Sequence, residues 1–158
     1  MPGSNLIPRK KIKSLADRLR RSRKRIVFTN GVFDLLHVGH VQYLQKARSF
    51  GDILILGLNT DASVRRLKGP DRPLQSQKDR ATILLALECV DYVVTFGEDT
   101  PDKLIREIKP DVLVKGADYK LSEIVGADFV KANGGKVRRV RLSPGRSSSL
   151  LIKLLHKG

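Results

Sequence analysis

Residues 25–59 read RIVFTNGVFDLLHVGHVQYLQKARSFGDILILGLN, and their changing periodicity decides the fold. An apolar run at 25–29 gives way to a turn at Asn30-Gly31. A segment with Val41, Leu44 and Ala47 at helical spacing follows, and then a second apolar run at 53–59. Apolar runs without polar alternation are what strands buried on both faces need. Strand, helix and strand within this length make one parallel crossover unit.

Three further runs, YVVTF (92–96), VLVKG (112–116) and KVRRVRL (136–142), repeat the strand signal. Helical patterns lie between them. The pattern at 38–51 ends in Gly51 as a C′ residue, and SQKDRATILLALECV starts from Ser76 as N-cap. TPDKLIREIKP has Thr100 as cap, Pro101 at the first helical position and Pro110 as terminator. LSEIVGADFVKANGG and SSSLLIKLLHKG complete the set. The alternation predicts an α/β fold, a doubly wound five-stranded parallel sheet with right-handed crossovers, spanning residues 25–158. Residues 1–24 read as a basic N-terminal arm or helix. Such sheets bind ligands at the carboxyl ends of their strands, where strand order reverses.

Composition narrows the class. A chain of 158 residues, 41% hydrophobic and 30% charged, suits one soluble domain. No apolar run approaches the roughly 20 residues that cross a bilayer, and the first residues lack the apolar centre of a secretory signal. The lone Cys89, inside LLALECV, is expected to be a core thiol, and the absence of any possible intrachain disulfide points to a reducing cytoplasm. Net charge is +15, of which residues 9–25 hold +9: ten Lys and Arg against Asp17. Such a segment can bind nucleic acid, but Ile12, Leu15, Ala16 and Leu19 recur at helical spacing, which favours an amphipathic helix. No nucleic-acid partner and no membrane are expected.

The chemistry gathers after the first strand. His37 and His40, three apart at the start of a helix, share one side of it. Gly39 lets a ligand approach the backbone, where free N–H groups and the helix dipole favour an anion. Imidazoles there gain charge near neutral pH and donate to phosphate oxygens. The competing readings are helix capping and zinc, and zinc lacks a third ligand at a fitting spacing, so no metal site is expected in the protein itself. Ser147, Ser148 and Ser149 fall at the start of the last helix, positioned to cap it or to hold an anion.

GVFDLLHVGH (31–40) resembles the G-x-F-D-x-x-H-x-G-H signature of the cytidylyltransferase-like nucleotidyltransferases. NTDASVRRLKGPDRP (59–73), VKGADY (114–119) and GRSSS (145–149) are similar to further family motifs in the same order, so the resemblance covers roughly residues 25–155. It implies catalytic roles for His37, His40 and Lys68. It also implies nucleotide contacts from Thr29, Asn30, Gly31, Phe33, Asp34 and Gly39, from Lys115, Gly116 and Asp118, and from Arg146 and the three serines. Many members carry an arginine where this chain has Leu142, and Arg146, with Arg141 as the alternative, is expected to supply that charge. Asp79 stands where a glutamate is usual, and Arg80 beside it is expected to form a structural ion pair. Within the family, NTDAS, RLKG and EDTP resemble the branch that adenylylates D-glycero-β-D-manno-heptose 1-phosphate, in a stand-alone form without the sugar kinase to which it is often fused. The resemblance implies ATP, with Mg²⁺ delivered on it, a sugar phosphate as acceptor, and a homodimer. A cytidylyltransferase acting on glycerol 3-phosphate or another alcohol phosphate is the enzymatic alternative.

Overall fold

In the computed structural model, which describes residues 5–142 and 148–157, one parallel sheet has the order β3-β2-β1-β4-β5. Its strands are β1 Ile26–Gly31, β2 Ile53–Asn59, β3 Tyr92–Phe96, β4 Val112–Gly116 and β5 Lys136–Val140. The chain steps outward from β1 to β3, then returns to the other side of β1 with β4. The β1–β2 ladder runs from Ile26↔Ile53 to Gly31↔Leu58, whereas β1 and β4 pair only at Val27↔Val112 and Phe28↔Leu113. Beyond that point the two strands part, and a crevice opens at their carboxyl ends, as strand-order reversal requires.

Side-chain alternation splits each strand between two cores. Phe28, Ile55, Val94 and Leu113 face one cluster, while Val27, Leu54, Leu56, Val93 and Val112 face the other. The first is covered by helices α1 Ile12–Arg21, α5 Asp102–Ile108 and α6 Ala127–Ala132; the second by α2 Val38–Arg48 and α4 Gln77–Leu85. Helix α3 Asp61–Lys68 leaves the end of β2, and α7 Ser148–His156 closes the chain. Among the described residues no helix is long and apolar enough to cross a membrane.

The division at residue 24 has no counterpart in the packing. Ile12, Leu15, Ala16 and Leu19 are buried in the same cluster as Phe28 and Ile105. The segment before α1 joins the free edge of β3, with Ile7 N–H donating to Val93 O at 2.8 Å and Val93 N–H to Asn5 O at 3.0 Å. Part of the basic charge fastens this helix in place. Arg9 bridges Glu98 (3.0 Å) and Glu107 (3.1 Å), and Arg20 donates to the carbonyl of Ile108 at 2.7 Å.

Helix boundaries show where local signals were overridden. Ser76 caps α4 as expected, accepting from Asp79 N–H. Helix α5 begins one residue later than predicted, with Pro101 rather than Thr100 at the cap. Helix α2 stops at Arg48, capped by Ser49. Gly51 is instead a packing residue: a Cβ there would lie 2.7 Å from the Arg25 carbonyl. The pattern LSEIVGADFVKANGG breaks at Gly126, whose φ of +83° and contact with Ile105 exclude a side chain; a 3-10 turn at Leu121–Glu123 precedes it and α6 follows.

Ile12→Ala tests whether α1 belongs to the domain. A fully buried isoleucine truncated to alanine should cost about 2–4 kcal/mol, read as a lowered urea midpoint at constant m-value. A midpoint equal to wild type would show that the helix is detached.

Candidate active site

Strand β1 runs through Gly31, so the chain does not turn at Asn30-Gly31 as the sequence implied. The turn is made at Phe33, which adopts φ +49°. Its ring lies so close to Gly31 that a Cβ there would sit 2.8 Å away, which explains the glycine. Thr29, expected to touch nucleotide, is fully buried; its Oγ1 donates to Val114 O at 3.0 Å and pairs with the Tyr43 hydroxyl at 2.8 Å. It thereby bridges β1 and β4 where their ladder has ended, which is a structural role.

Asp34 follows the turn and is 2% exposed. Its carboxylate accepts from Arg72 Nε at 2.8 Å, from Leu74 N–H at 2.9 Å and from Gln75 N–H at 3.0 Å. Burial alone would raise its pKa, but the Leu74 and Gln75 N–H groups and Arg72 outweigh burial and hold it below the ordinary carboxylate range. Asp34 thus pins the 72–75 loop over the crevice, and both its oxygens are engaged by the protein. Arg80, fully buried, holds the same loop from below. It donates to Gln75 O (3.0 Å) and Val32 O (2.7 Å) and pairs with Asp61 (2.7 Å), the structural ion pair that the sequence implied.

His37 is the N-cap of α2, and capping turns out to be part of the site rather than an alternative to it. Its Nδ1 accepts from Gly39 N–H at 3.1 Å, and His40 Nδ1 accepts from His37 N–H at 3.3 Å. The two rings stack with centroids 3.8 Å apart, and Phe33 lies edge-on to His40 at 5.3 Å. An Nδ1 that accepts a backbone N–H carries no proton, so the proton of each neutral ring is on Nε2. Protonating Nδ1 would set N–H against N–H. Burial first, then the cost of setting a second charge beside the stacked His37 ring and Lys68, push His40 down to about 4. The expectation that it charges near neutrality is therefore corrected: at pH 7 His40 is a neutral Nε2–H donor. Gly39 N–H, expected to be free for an anion, is taken by His37.

A cavity of about 540 Å³ fills the crevice, a size suited to a nucleotide-scale ligand. Of the predicted residues, Asn30 and Gly31 line it from β1, Phe33 and Asp34 from the turn after it, His40 from α2, Lys68 from α3, Lys115 and Gly116 from β4 and Asp118 from the turn that follows. Thr29, His37 and Gly39 do not reach its wall. Arg146 and Ser147 lie outside the described residues; Ser148 and Ser149 open α7, with side chains outside the description. Lys115 is pulled down to about 8 by burial, against the opposing field of Asp118, and its Nζ sits 5.4 Å from the Tyr119 ring centre. Lys68 is lowered by burial and then by the charge of Arg72.

The sequence reading missed Arg72, Asn59, Asp99 and Thr100, all of which line the cavity. Arg72 sits in a loop without periodicity, and its only local signal is the Pro after it. Among the described residues, Arg72 Nη2 and Asn30 Oδ1 are buried without a hydrogen-bond partner. No group of three His, Cys, Asp or Glu lies close enough among these residues to hold a metal ion by itself.

The depressed His40 value sets a pH dependence. The unfolded chain takes up a proton as pH falls through 6.5, while the folded protein resists until about 4, so stability declines across that window. His40→Gln should flatten urea midpoints between pH 7 and pH 5 relative to wild type. Equal slopes in the two proteins would mean that His40 charges freely in the fold.

The cytidylyltransferase-like family model matches residues 28–142. The bifunctional protein HldE of Syntrophotalea carbinolica is 57% identical over 145 residues, covering 92% of this chain and 30% of that protein. The HldE of Wolinella succinogenes is 56% identical over 148 residues, covering 94% and 30% respectively. The chain thus spans about three tenths of the length of the curated relatives it matches. Among solved structures, the lipopolysaccharide core biosynthesis protein from Thermoplasma volcanium aligns with a TM-score of 0.62 at 32% identity, over 76% of this chain and 97% of that one. Pantoate-β-alanine ligase from Francisella tularensis aligns with a TM-score of 0.62 at 18% identity, over 91% of this chain and 69% of that one, and shows the shared fold alone. With the signature at 31–40 at the mouth of the crevice and the family match extending over most of the sheet, this chain belongs to the cytidylyltransferase-like family of nucleotidyltransferases.

Proposed function

We propose that this domain transfers an adenylyl group from ATP to D-glycero-β-D-manno-heptose 1-phosphate, forming ADP-heptose and pyrophosphate. The observation that carries the reaction class is the neutral His40, whose only remaining donor, Nε2–H, belongs to a ring in the cavity wall near Lys68. Identities of 56–57% to HldE proteins, and the likeness to a lipopolysaccharide core biosynthesis protein, support the sugar phosphate.

The residues suit a displacement without proton transfer. Serine and cysteine are absent from the described cavity wall, and a sugar phosphate is already an anionic nucleophile at pH 7. One of its oxygens bonds to the α-phosphorus as the bond from that phosphorus to the bridging oxygen of pyrophosphate breaks, and the electron pair leaves with pyrophosphate. The protein supplies alignment and charge stabilisation. His40 donates from Nε2 to the phosphate oxygens where charge accumulates, with His37 stacked behind it as cap and orienting group. Lys68 adds positive charge on the leaving side, and Lys115 faces the nucleotide from β4. The family motif at 145–149, with Arg146 and Ser147–Ser149, is assigned to the β- and γ-phosphates.

Mg²⁺ fits as an ion delivered on ATP. Such an ion would need few protein ligands, in keeping with a cavity whose buried carboxylate, Asp34, is engaged by Arg72, Leu74 and Gln75. When bound it would neutralise part of the triphosphate charge. We read the assembly as a homodimer, since Leu154 and Leu155 on α7 are exposed (59% and 74%) as a second copy would require.

Pyrophosphate release should be greatest with ATP and heptose 1-phosphate when four nucleoside triphosphates are paired with that acceptor and with glycerol 3-phosphate. Preference for CTP and glycerol 3-phosphate would overturn the assignment in favour of the cytidylyltransferase alternative. His40→Ala should lower turnover by roughly two orders of magnitude or more with the fold intact by circular dichroism and the melting temperature lowered by only a few degrees, since one cap bond is lost; near wild-type turnover refutes its role. Lys115 loses its charge as pH rises through about 8, so the KM for ATP should climb there in wild type and stay level in Lys115→Gln.

A further inference from the structure

About half of the protein's excess charge lies in a stretch without a single acidic side chain. Residues 129–158 hold eight Lys and Arg and no Asp or Glu, so these thirty residues carry +8 of the net +15. In the N-terminal segment, by contrast, Arg9 and Arg20 pair with Glu98, Glu107 and Asp17. Four of the eight, Lys136, Arg138, Arg139 and Arg141, lie on or directly after β5, the outer strand of the sheet, and all four are exposed. Among the described residues none of the four forms an ion pair.

Three of these arginines converge. Arg138, Arg139 and Arg141 line a groove of about 550 Å³ together with Ala117, Leu121 and Val137. That is the size of a small-ligand site, and no acid contributes to its lining. Charges scattered along an edge strand serve to deter it from pairing with another chain. Here the guanidiniums share one concave surface, where they repel each other and an anion relieves the repulsion. Arg139 is anchored, its Nη1 donating to the Tyr119 carbonyl at 3.2 Å. A guanidinium fork can bind phosphate oxygens in pairs, which an ammonium group does not do.

The groove lies apart from the wall that holds the histidines. Val137 packs against the cluster beneath α1, α5 and α6, and Arg139 shares its face by strand alternation, whereas α2 covers the opposite face. Arg141, the alternative to Arg146 in the family motif, lines this groove and not the described crevice wall. One turn separates the two spaces: Ala117 and Leu121 line the groove, while Asp118 and Tyr119 line the crevice. We propose that the groove is a second anion site, which takes a chain of linked phosphates, free or carried by a nucleotide, while the crevice is occupied. The site is independent of the adenylyl-transfer reading. Arg138 and Arg139 grip the phosphates, and the bond from Arg139 to the Tyr119 carbonyl joins the site to the turn that borders the crevice.

Calorimetric titration of the wild type with inorganic tripolyphosphate should show two sites, one of which persists when α,β-methylene-ATP saturates the crevice. In the double variant Arg138→Gln with Arg139→Gln, the persistent site should weaken roughly tenfold or more. The analogue itself should bind that variant within about twofold of wild type. Both positions are exposed on an edge strand, and the single variant Arg138→Gln, with a loss of about threefold, decides the matter if the double variant does not fold. Pyrophosphate and ADP, each read as the difference between wild type and variant, identify the source. Equal differences support a site for the free chain, and a larger one for ADP supports a nucleotide whose base rests on Ala117, Leu121 and Val137. A persistent site of equal strength in wild type and variant overturns the proposal. So does tripolyphosphate binding that vanishes once the analogue is present, or analogue binding weakened as much as that of tripolyphosphate. Capture of a single-stranded oligonucleotide or of anionic vesicles, without any persistent tripolyphosphate site, places a macromolecule on this edge and overturns it too. An analogue that fails to bind refutes the adenylyl reading alone, and the fall from two tripolyphosphate sites to one in the variant then still decides the groove.

Discussion

Two backbone N–H groups at the start of α2 determine the state of this site. Any helix leaves its first N–H groups without partners, and here the Nδ1 atoms of His37 and His40 accept two donors of that first turn. One arrangement therefore caps the helix, chooses the tautomer and orients the pair. The same bonds oppose imidazolium formation, because a second ring proton would face a backbone donor. Burial acts in the same direction. His40 is therefore a preorganised neutral donor, in keeping with the proposed displacement, whose nucleophile arrives already ionised.

A second constraint comes from beneath the 72–75 loop. Asp34 and Arg80, both buried, converge on it from β1 and α4, and each satisfies its hydrogen bonds with backbone groups of the loop or its neighbours. Buried charges persist only when paired in this way, and their cost is offset by the rigidity they impose. The crevice itself exists because β1 and β4 stop pairing after Phe28↔Leu113, and Thr29 spans the opening with a side-chain bond to Val114 O. Thr29 and Asp34, which read as ligand contacts, thus join Arg80, expected as a structural ion pair, in the frame around the crevice.

Much of the fold was legible because burial on both faces writes itself into short unbroken apolar runs. The strands at 53–59, 92–96 and 112–116 occur where those runs lie, whereas the basic KVRRVRL run ends as a strand at Val140. Boundaries that depend on a neighbour were not legible. Gly51 looked like a helix terminator and is instead a close contact with the Arg25 carbonyl, and Gly126 breaks a helical pattern because Ile105 occupies the space of its side chain. The N-terminal segment looked separable by charge, yet its apolar face lies under α5.

For the site, the sequence by itself placed the histidine pair. His37 and His40 follow a strand and open a helix, and local spacing is enough to bring His40 to the crevice wall with His37 beside it. Only the tertiary structure decided the protonation of His40, since burial and a cation from α3 act through space. It alone decided that Asp34 serves the protein rather than the nucleotide, because the partners of that carboxylate lie about forty residues away in the chain. It also brought Arg72, Asn59, Asp99 and Thr100 to one wall. Hydrogen bonds and fields depend on distance in space, and local sequence periodicity records only which face of an element is buried.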